Sequence, residues 1–280
     1  MKARFVGITF LVSASFLQVA PLTAKTTVVV GPGPHAPLYV TNADDCHIVD
    51  GTQIISPSLT GPPEDFVVPI DAIEFRGGGH IQVDGGYFRG GDASYTVSNG
   101  DSATVAGANA LHLRQSTGEI FRGSFIGGEA FSATSISNTH GGNGMILVGS
   151  DITIYDGYFE GGVETKKRIG PGFTVGQAPA IFAAQGSIVS MYGGEVDGGM
   201  RIDTGSSLYI FGRNLQYDGE QLTGIYWNGT PFDHSVLRTG GNVYLMTVVP
   251  EPLSPFHVLS VGLVVCTMRR NRLSSLNCDY

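Results

Sequence analysis

Apolar residues spaced two apart, each set leading into a glycine-flanked phenylalanine or valine, give this chain its rhythm. Ile81 and Val83 precede Gly86, Ile152 and Ile154 precede Gly157, and Val189 and Met191 precede Gly194, while Ile120 stands alone ahead of Gly123. Residues two apart face one side of an extended strand, so each pair reads as a short strand with one buried face. A second motif, G-x-[FV]-x-G-G, follows each of these positions. It runs Gly86-Tyr87-Phe88-Arg89-Gly90-Gly91, then Gly123 to Gly128, Gly157 to Gly162 and Gly194 to Gly199, in steps of 37, 34 and 37 residues. Each unit is therefore a strand, a corner, a glycine, a second strand and a glycine pair. Glycine suits such places because it adopts positive φ and lets neighbouring backbone approach.

Repetition at a fixed period of tens of residues is the mark of a solenoid. The pattern predicts an all-β chain with a right-handed parallel β-helix over residues 71–248, and Phe88, Phe125, Phe159 and Val196 in its interior. Leu208 and Ile210 follow Val189 and Met191 by 19 residues. That spacing predicts rungs of about 18–20 residues, two per long period. The intervening rungs would lie near Thr104-Val105 and Phe173–Val175. No eleven-residue stretch of 25–250 carries helical spacing free of glycine or proline. A sandwich or propeller is the structural alternative, but a propeller needs longer units of four strands. Residues 25–70, rich in proline, read as a loosely ordered N-terminal arm or cap. Near the other end, glycine alternates with apolar residues around Asn228-Gly229 in the segment Leu222–Phe232, and Trp227 is expected to cover the open end.

The two termini carry addresses. Lys2 and Arg4 precede an apolar run, Phe5–Phe16, and Leu22-Thr23-Ala24 offers a small-residue cleavage site, so residues 1–24 read as a secretory signal peptide cut after Ala24, with Ala20 a second possible point. At the far end stand Val249-Pro250-Glu251-Pro252, the uncharged run Leu253–Met268, the basic cluster Arg269-Arg270-Asn271-Arg272 and a tail, 273–280. The prolines fix φ and remove backbone donors, keeping this peptide extended. Sixteen residues of helix would rise about 24 Å against a hydrocarbon core of roughly 30 Å. The arginines would remain cytoplasmic. A short C-terminal hydrophobic helix, inserted transiently in the membrane, is the expectation.

This three-part order, residues 249–272, resembles the PEP-CTERM sorting signal of Gram-negative bacteria that make exopolysaccharide. The segment Leu222–Phe232 likewise looks like the closing motif of PEP-CTERM cargo domains with β-helix repeats. The resemblance implies sorting through Val249, Pro250, Glu251, Pro252, Arg269, Arg270 and Arg272, with an exosortase-like membrane peptidase as partner. It also implies transient inner-membrane anchoring, delivery to the envelope, outer surface or medium, and association with exopolysaccharide or other envelope components.

Composition narrows the partners. With the two signals removed, 11 basic residues face 22 acidic ones, a net charge near −11. So acidic a domain repels nucleic acid. Of three cysteines, Cys266 and Cys278 lie in the C-terminal signal or tail, leaving Cys46 alone, so neither a disulfide framework nor a cysteine metal site can form.

Candidate chemistry is sparse. Glycoside hydrolysis needs two carboxyl groups about 5–10 Å apart. Only Glu160 and Asp197 share a repeat column; Asp84 and Asp156 do not align. These read as solvated turn residues. His140, in Asn138-Thr139-His140-Gly141-Gly142-Asn143, has a metal ligand's chemistry but reads first as a solvated loop histidine. Lys166-Lys167-Arg168, the single basic run, reads as an exposed loop with the means to touch an acidic polymer. No zinc-hydrolase, serine-nucleophile or phosphate-loop motif is present, and Gly141-Gly142-Asn143-Gly144 fails the tandem calcium repeat. The expectation is an exported, non-catalytic surface or matrix protein with no catalytic residue, metal or cofactor. The alternative is a β-helix polysaccharide lyase or glycoside hydrolase.

Overall fold

The computed structural model describes residues 27–41, 45–61, 66–96, 104–133, 138–167 and 173–247. Among them every regular element is a strand, and the strands wind into a parallel solenoid of about five turns. Three walls enclose a tube. The first wall stacks Thr27–Val30, Asp45–Ile48, His80–Val83, Thr117–Ile120, Asp151–Ile154, Ile188–Met191 and Ser207–Tyr217. The second stacks Gly33–His35, Thr52–Ile55, Tyr87–Arg89, Ser124–Ile126, Tyr158–Glu160 and Glu195–Asp197. The third runs from Leu38–Val40 through Ile73–Arg76, Leu111–Arg114, Met145–Val148, Ile181–Ala184 and Met200–Asp203 to Pro231–Thr239.

The alternating apolar residues point inward as their period of two requires. Ile81, Val83, Ile152, Ile154, Val189, Met191, Leu208 and Ile210 are all buried. The missing partner of Ile120 is explained: Gly118 takes the inner position, and a Cβ there would lie 2.6 Å from Ile81 Cγ2 and 2.7 Å from Ile152 Cδ1. The neighbours already fill that space. Phe88, Phe125 and Phe159 stack inside the tube with ring centroids 4.9 and 5.1 Å apart, and Val196 continues the column.

The turn length departs from the sequence reading. Tyr87 pairs with Ser124, Ser124 with Tyr158 and Tyr158 with Glu195, so one long period is one turn rather than two rungs. Thr104–Ala106 and Phe173–Gln177 are not intervening rungs. They belong to a side lobe that the long turns build between the second and third walls. Its sheets are Leu59–Gly61, Ala93–Tyr95, Ala130–Ser132 and the antiparallel pair Val163–Lys167 and Phe173–Gln177 on one side, and Phe66–Val67, Thr104–Ala106 and Asn138–His140 on the other. The 19-residue step from Val189 to Leu208 is a true turn, but a short one without a lobe.

The glycine pairs make the neck of that lobe. Outgoing and returning strands meet there and bond to one another. Ala108 N–H donates to Gly91 O (2.9 Å), Gly128 to Ala108 (2.8 Å), Gly142 to Gly128 (2.8 Å), Gly162 to Gly142 (2.7 Å) and Ala178 to Gly162 (3.0 Å). A Cβ on Gly128 would stand 2.0 Å from Gly91 O, and one on Gly142 would stand 1.9 Å from Ala108 O. Only glycine permits this approach.

Of residues 25–70, read from sequence as a loosely ordered arm or cap, Thr27–Val30, Gly33–His35 and Leu38–Val40 form a first short turn, and Asp45–Ile48 through Phe66–Val67 belong to the next. Pro34 lies in a strand at a sheet edge, and Pro32, Pro37, Pro57 and Pro69 lie between strands, the places a residue without an N–H tolerates. At the other end Gln221–Tyr226 and Pro231–Thr239 fold back antiparallel over the tube and join the first wall to the third. Leu222, Tyr226 and Phe232 are buried beneath this cap. Trp227, expected to cover the end, is 56% exposed: it sits past the strand end beside the Asn228-Gly229 turn, and Tyr226 takes the inward position. Cys46 is buried, with no partner thiol among the described residues, and burial pushes its pKa up to about 11.

Candidate functional site

Where the lobe returns to the third wall it leaves a crease, a cavity of about 690 Å³ floored by that wall and flanked by Ala106, Gly107, His140 and Gly141. Alternation puts Ile73, Phe75, Leu111 and Leu113 inside the tube, so Glu74, Arg76, His112 and Arg114 must face the crease. In register with them lie Tyr39 from the first turn and Ile146 and Val148 from the turn after.

A relay of hydrogen bonds crosses the turns. Asp71 Oδ1 accepts the backbone N–H (2.7 Å) and the side-chain Nδ2 (2.9 Å) of Asn109, whose own Oδ1 accepts both the backbone and side-chain N–H of Asn143 (2.9 Å each). Asp71 Oδ2 lies 2.8 Å from His112 Nδ1, and Arg114 donates its Nε–H to His112 Nε2 at 2.8 Å. An arginine has no acceptor, so Nε2 carries the lone pair and Nδ1–H donates to Asp71. Arg76 donates to Glu74 Oε1 (2.5 Å) and lies 5.6 Å from the Tyr39 ring centroid; the Glu74 hydrogen bond, ahead of its charge, holds the guanidinium pKa above its ordinary value.

Ligand atoms of Asp71, Glu74 and His112 lie within 4.8 Å of one another, a spacing compatible with a metal ion. The hydrogen bonding speaks for another use. The His112 lone pair faces Arg114, its other nitrogen holds the proton given to Asp71, and Glu74 is bound by Arg76. A cation would have to break each of these. The same bond to Arg114 keeps His112 Nε2 from serving as a general base as arranged.

The residues singled out from sequence fall elsewhere. Glu160 and Asp197 are direct neighbours on the second wall, because their one-period separation is one turn. Tyr158 donates its O–H to Glu160 (2.9 Å), and burial followed by that contact pushes the phenol up to about 12. Asp84 receives Gln82 Nε2 at 2.8 Å and lies 2.7 Å from His47 Nε2, contacts that hold its carboxyl below the usual range. His140 ends a lobe strand rather than sitting in a glycine loop; it is exposed, 3.9 Å from Glu164. Lys166 and Lys167 lie in the antiparallel lobe pair. The cleavage residue Ala24, the sorting residues Val249, Pro250, Glu251, Pro252, Arg269, Arg270 and Arg272, and the run Leu253–Met268 lie outside the described residues.

The crease escaped the sequence reading although a signal was there. Asp71-Ala72-Ile73-Glu74-Phe75-Arg76 recurs as Asn109-Ala110-Leu111-His112-Leu113-Arg114, 38 residues on. Comparison with family models, characterised proteins and solved structures finds no match to this chain.

Proposed function

We propose that this is an exported surface or matrix protein whose solenoid, wound in the right-handed sense usual for parallel crossovers, binds envelope polysaccharide in the crease without cleaving it. The terminal addresses support export. Residues 1–24 would be removed, Leu253–Met268 would hold the chain briefly in the inner membrane, and an exosortase-like peptidase would process it near Pro250-Glu251-Pro252.

The observation that carries the binding reading is the crease itself. It is of ligand size, lies on the third wall, and combines Tyr39 and apolar Ile146 with a set of polar groups already fixed in place. Binding to a preformed site loses little entropy. Catalysis would need an acid and a base free to move a proton, whereas Asp71, Glu74 and His112 each hold a protein partner.

The test uses purified protein, neutral and acidic glycans, and calcium present or absent. Saturable binding without new reducing ends or unsaturated uronates is the expected result. Turnover abolished by Glu160→Gln or Asp197→Asn would establish the hydrolase or lyase instead, since those two carboxylates are neighbours on the second wall. For the sorting reading, the expected result is loss of the C-terminal segment from protein recovered outside the cell.

A further inference from the structure

We infer that the crease recognises a single carboxylate on an otherwise neutral glycan, and that Arg114 is its receptor. This rests on the polysaccharide-binding reading and specifies its ligand. Three guanidinium groups stand on the outer face of the third wall. Arg76 is bound to Glu74, and Arg201 donates to Asp203 at 2.9 Å while lying 5.0 Å from the Phe182 ring centroid. Arg114 differs. Its Nε–H goes to the neutral acceptor His112, and the nearest carboxylate oxygen, Glu74 Oε1, is 3.9 Å from that nitrogen.

The terminal nitrogens of Arg114 have no hydrogen-bond acceptor among the described residues, and the side chain is 44% exposed. A charged fork with donors to spare is thus presented to the crease. Its direction is set from below: Asn109 orients Asp71, Asp71 orients the His112 ring, and His112 holds Nε of Arg114. A guanidinium so fixed offers parallel N–H groups that match the two oxygens of a carboxylate. Beyond it Ile146, Val148 and Phe182 continue the wall as an apolar strip that suits the C–H faces of sugar rings.

Charge decides how many carboxylates the ligand carries. The chain has a net charge of −8, and Asp71 and Glu74 lie close to the receptor. A dense polyanion would be repelled along its length, whereas one carboxylate meets one arginine whose terminal nitrogens hold no acceptor among the described residues. His112 and Asp71 are positioning residues in this scheme.

The probes are a neutral oligosaccharide carrying one uronate and the same compound as its methyl ester, titrated into the purified protein. The acid is expected to bind about tenfold tighter or more, the worth of a charge-assisted hydrogen bond. Arg114→Gln should erase that preference, weakening the acid far more than the ester. His112→Gln should reduce the preference by weakening the acid more than the ester, a split that general loosening of the wall would not give. Arg201→Gln serves as the charge control and should keep the preference. Equal binding of acid and ester, a preference that survives Arg114→Gln, or an equal loss in Arg201→Gln would overturn the assignment while leaving polysaccharide binding intact. Failure of both compounds and of longer glycans to bind would overturn the binding reading itself.

Discussion

Inside the tube, Phe88, Phe125 and Phe159 stack among isoleucine, leucine and methionine side chains; inside the lobe, the buried hydrophobic cluster is Val67, Ala93, Tyr95, Val105 and Ala130, with Ser132 and Thr139 also buried. Both interiors are made by the same long turns. The tube, continuous from the first turn to the cap, buries large side chains and holds the stability. The lobe, present only in the long turns, buries little and serves as one wall of the crease. Local opening follows buried apolar contact, so the lobe should open far more readily than the tube. A rigid floor carrying the polar relay, beside a thinner wall, is a workable arrangement for the polysaccharide binding proposed above.

The neck is where the two regions are joined, and breaking it should have the largest effect. Gly142→Ala drives a Cβ to 1.9 Å from Ala108 O, a backbone atom that cannot move without breaking the zipper. A loss of more than about 4 kcal/mol, or failure to fold, is expected in chemical denaturation. Gly186→Ala is the contrast. Its φ is +81° and the nearest atom to the new Cβ is 4.0 Å away, so only backbone strain of about 1–2 kcal/mol remains. Equal effects of the two would show that conformation, not close approach, governs the glycines.

A second contrast separates the cores. Phe125→Ala removes the middle ring of the stacked column and should cost about 3–5 kcal/mol of global stability. Val105→Ala in the lobe should cost about 1 kcal/mol and raise amide exchange only in the lobe strands. A global loss from Val105→Ala would mean the lobe is part of the tube's cooperative unit.

This contrast also explains what could be read beforehand. The tube was legible because its large inward residues recur at fixed places: Phe88, Phe125 and Phe159 one full period apart, Ile152 and Ile154 two residues apart. The lobe was not, because Ala93, Ala130 and Ser132 carry almost no hydrophobic pattern. With nothing to mark its strands, the only rung length the pattern displays is the 19-residue step at Leu208, half of the long period. The crease was hidden for a related reason. Glu74 and His112 occupy one column but differ in chemistry, and the column turns apolar at Ile146. His112 becomes informative only when Asp71, 41 residues earlier, is placed beside it.

The cap gives the pH-dependent case. His234 is buried, its Nε2 3.0 Å from Tyr226 O–H and its Nδ1 without a partner among the described residues, and burial lowers its pKa from 6.5 to about 4. Above pH 6.5 the ring is neutral folded or unfolded and contributes nothing to pH dependence. As pH falls from 6.5 towards 4, the unfolded chain takes up a proton that the folded chain refuses, so stability falls, by up to about 3 kcal/mol, and levels off below the folded pKa. Thermal melts should show this loss in wild type and not in His234→Phe. Asp84, with its lowered carboxyl pKa, adds its loss only below the ordinary carboxylate range, so the two windows separate.

The smallest effect belongs to a ladder that tube and cap side share. At the corner between the third and first walls, Ser150 Oγ accepts the N–H of Ser116, Ser187 Oγ that of Ser150, and Ser206 Oγ that of Ser187, at 3.1–3.2 Å. All four serines are buried. The ladder passes from long turns into the short one without a break, unlike the relay of Asp71, Asn109 and Asn143, which belongs to turns that carry a lobe. Ser150→Ala leaves the Ser116 N–H buried without its acceptor, but the lost bond is a long one, so the cost should be about 1 kcal/mol. Ser187→Ala, at the step into the short turn, should cost the same if the corner is independent of the lobe. A clearly larger loss from Ser150→Ala would mean that the lobe bears on the far corner of the tube. Paired denaturation curves of the two variants, with the amide exchange of Ser116 and Ser150, decide between these outcomes.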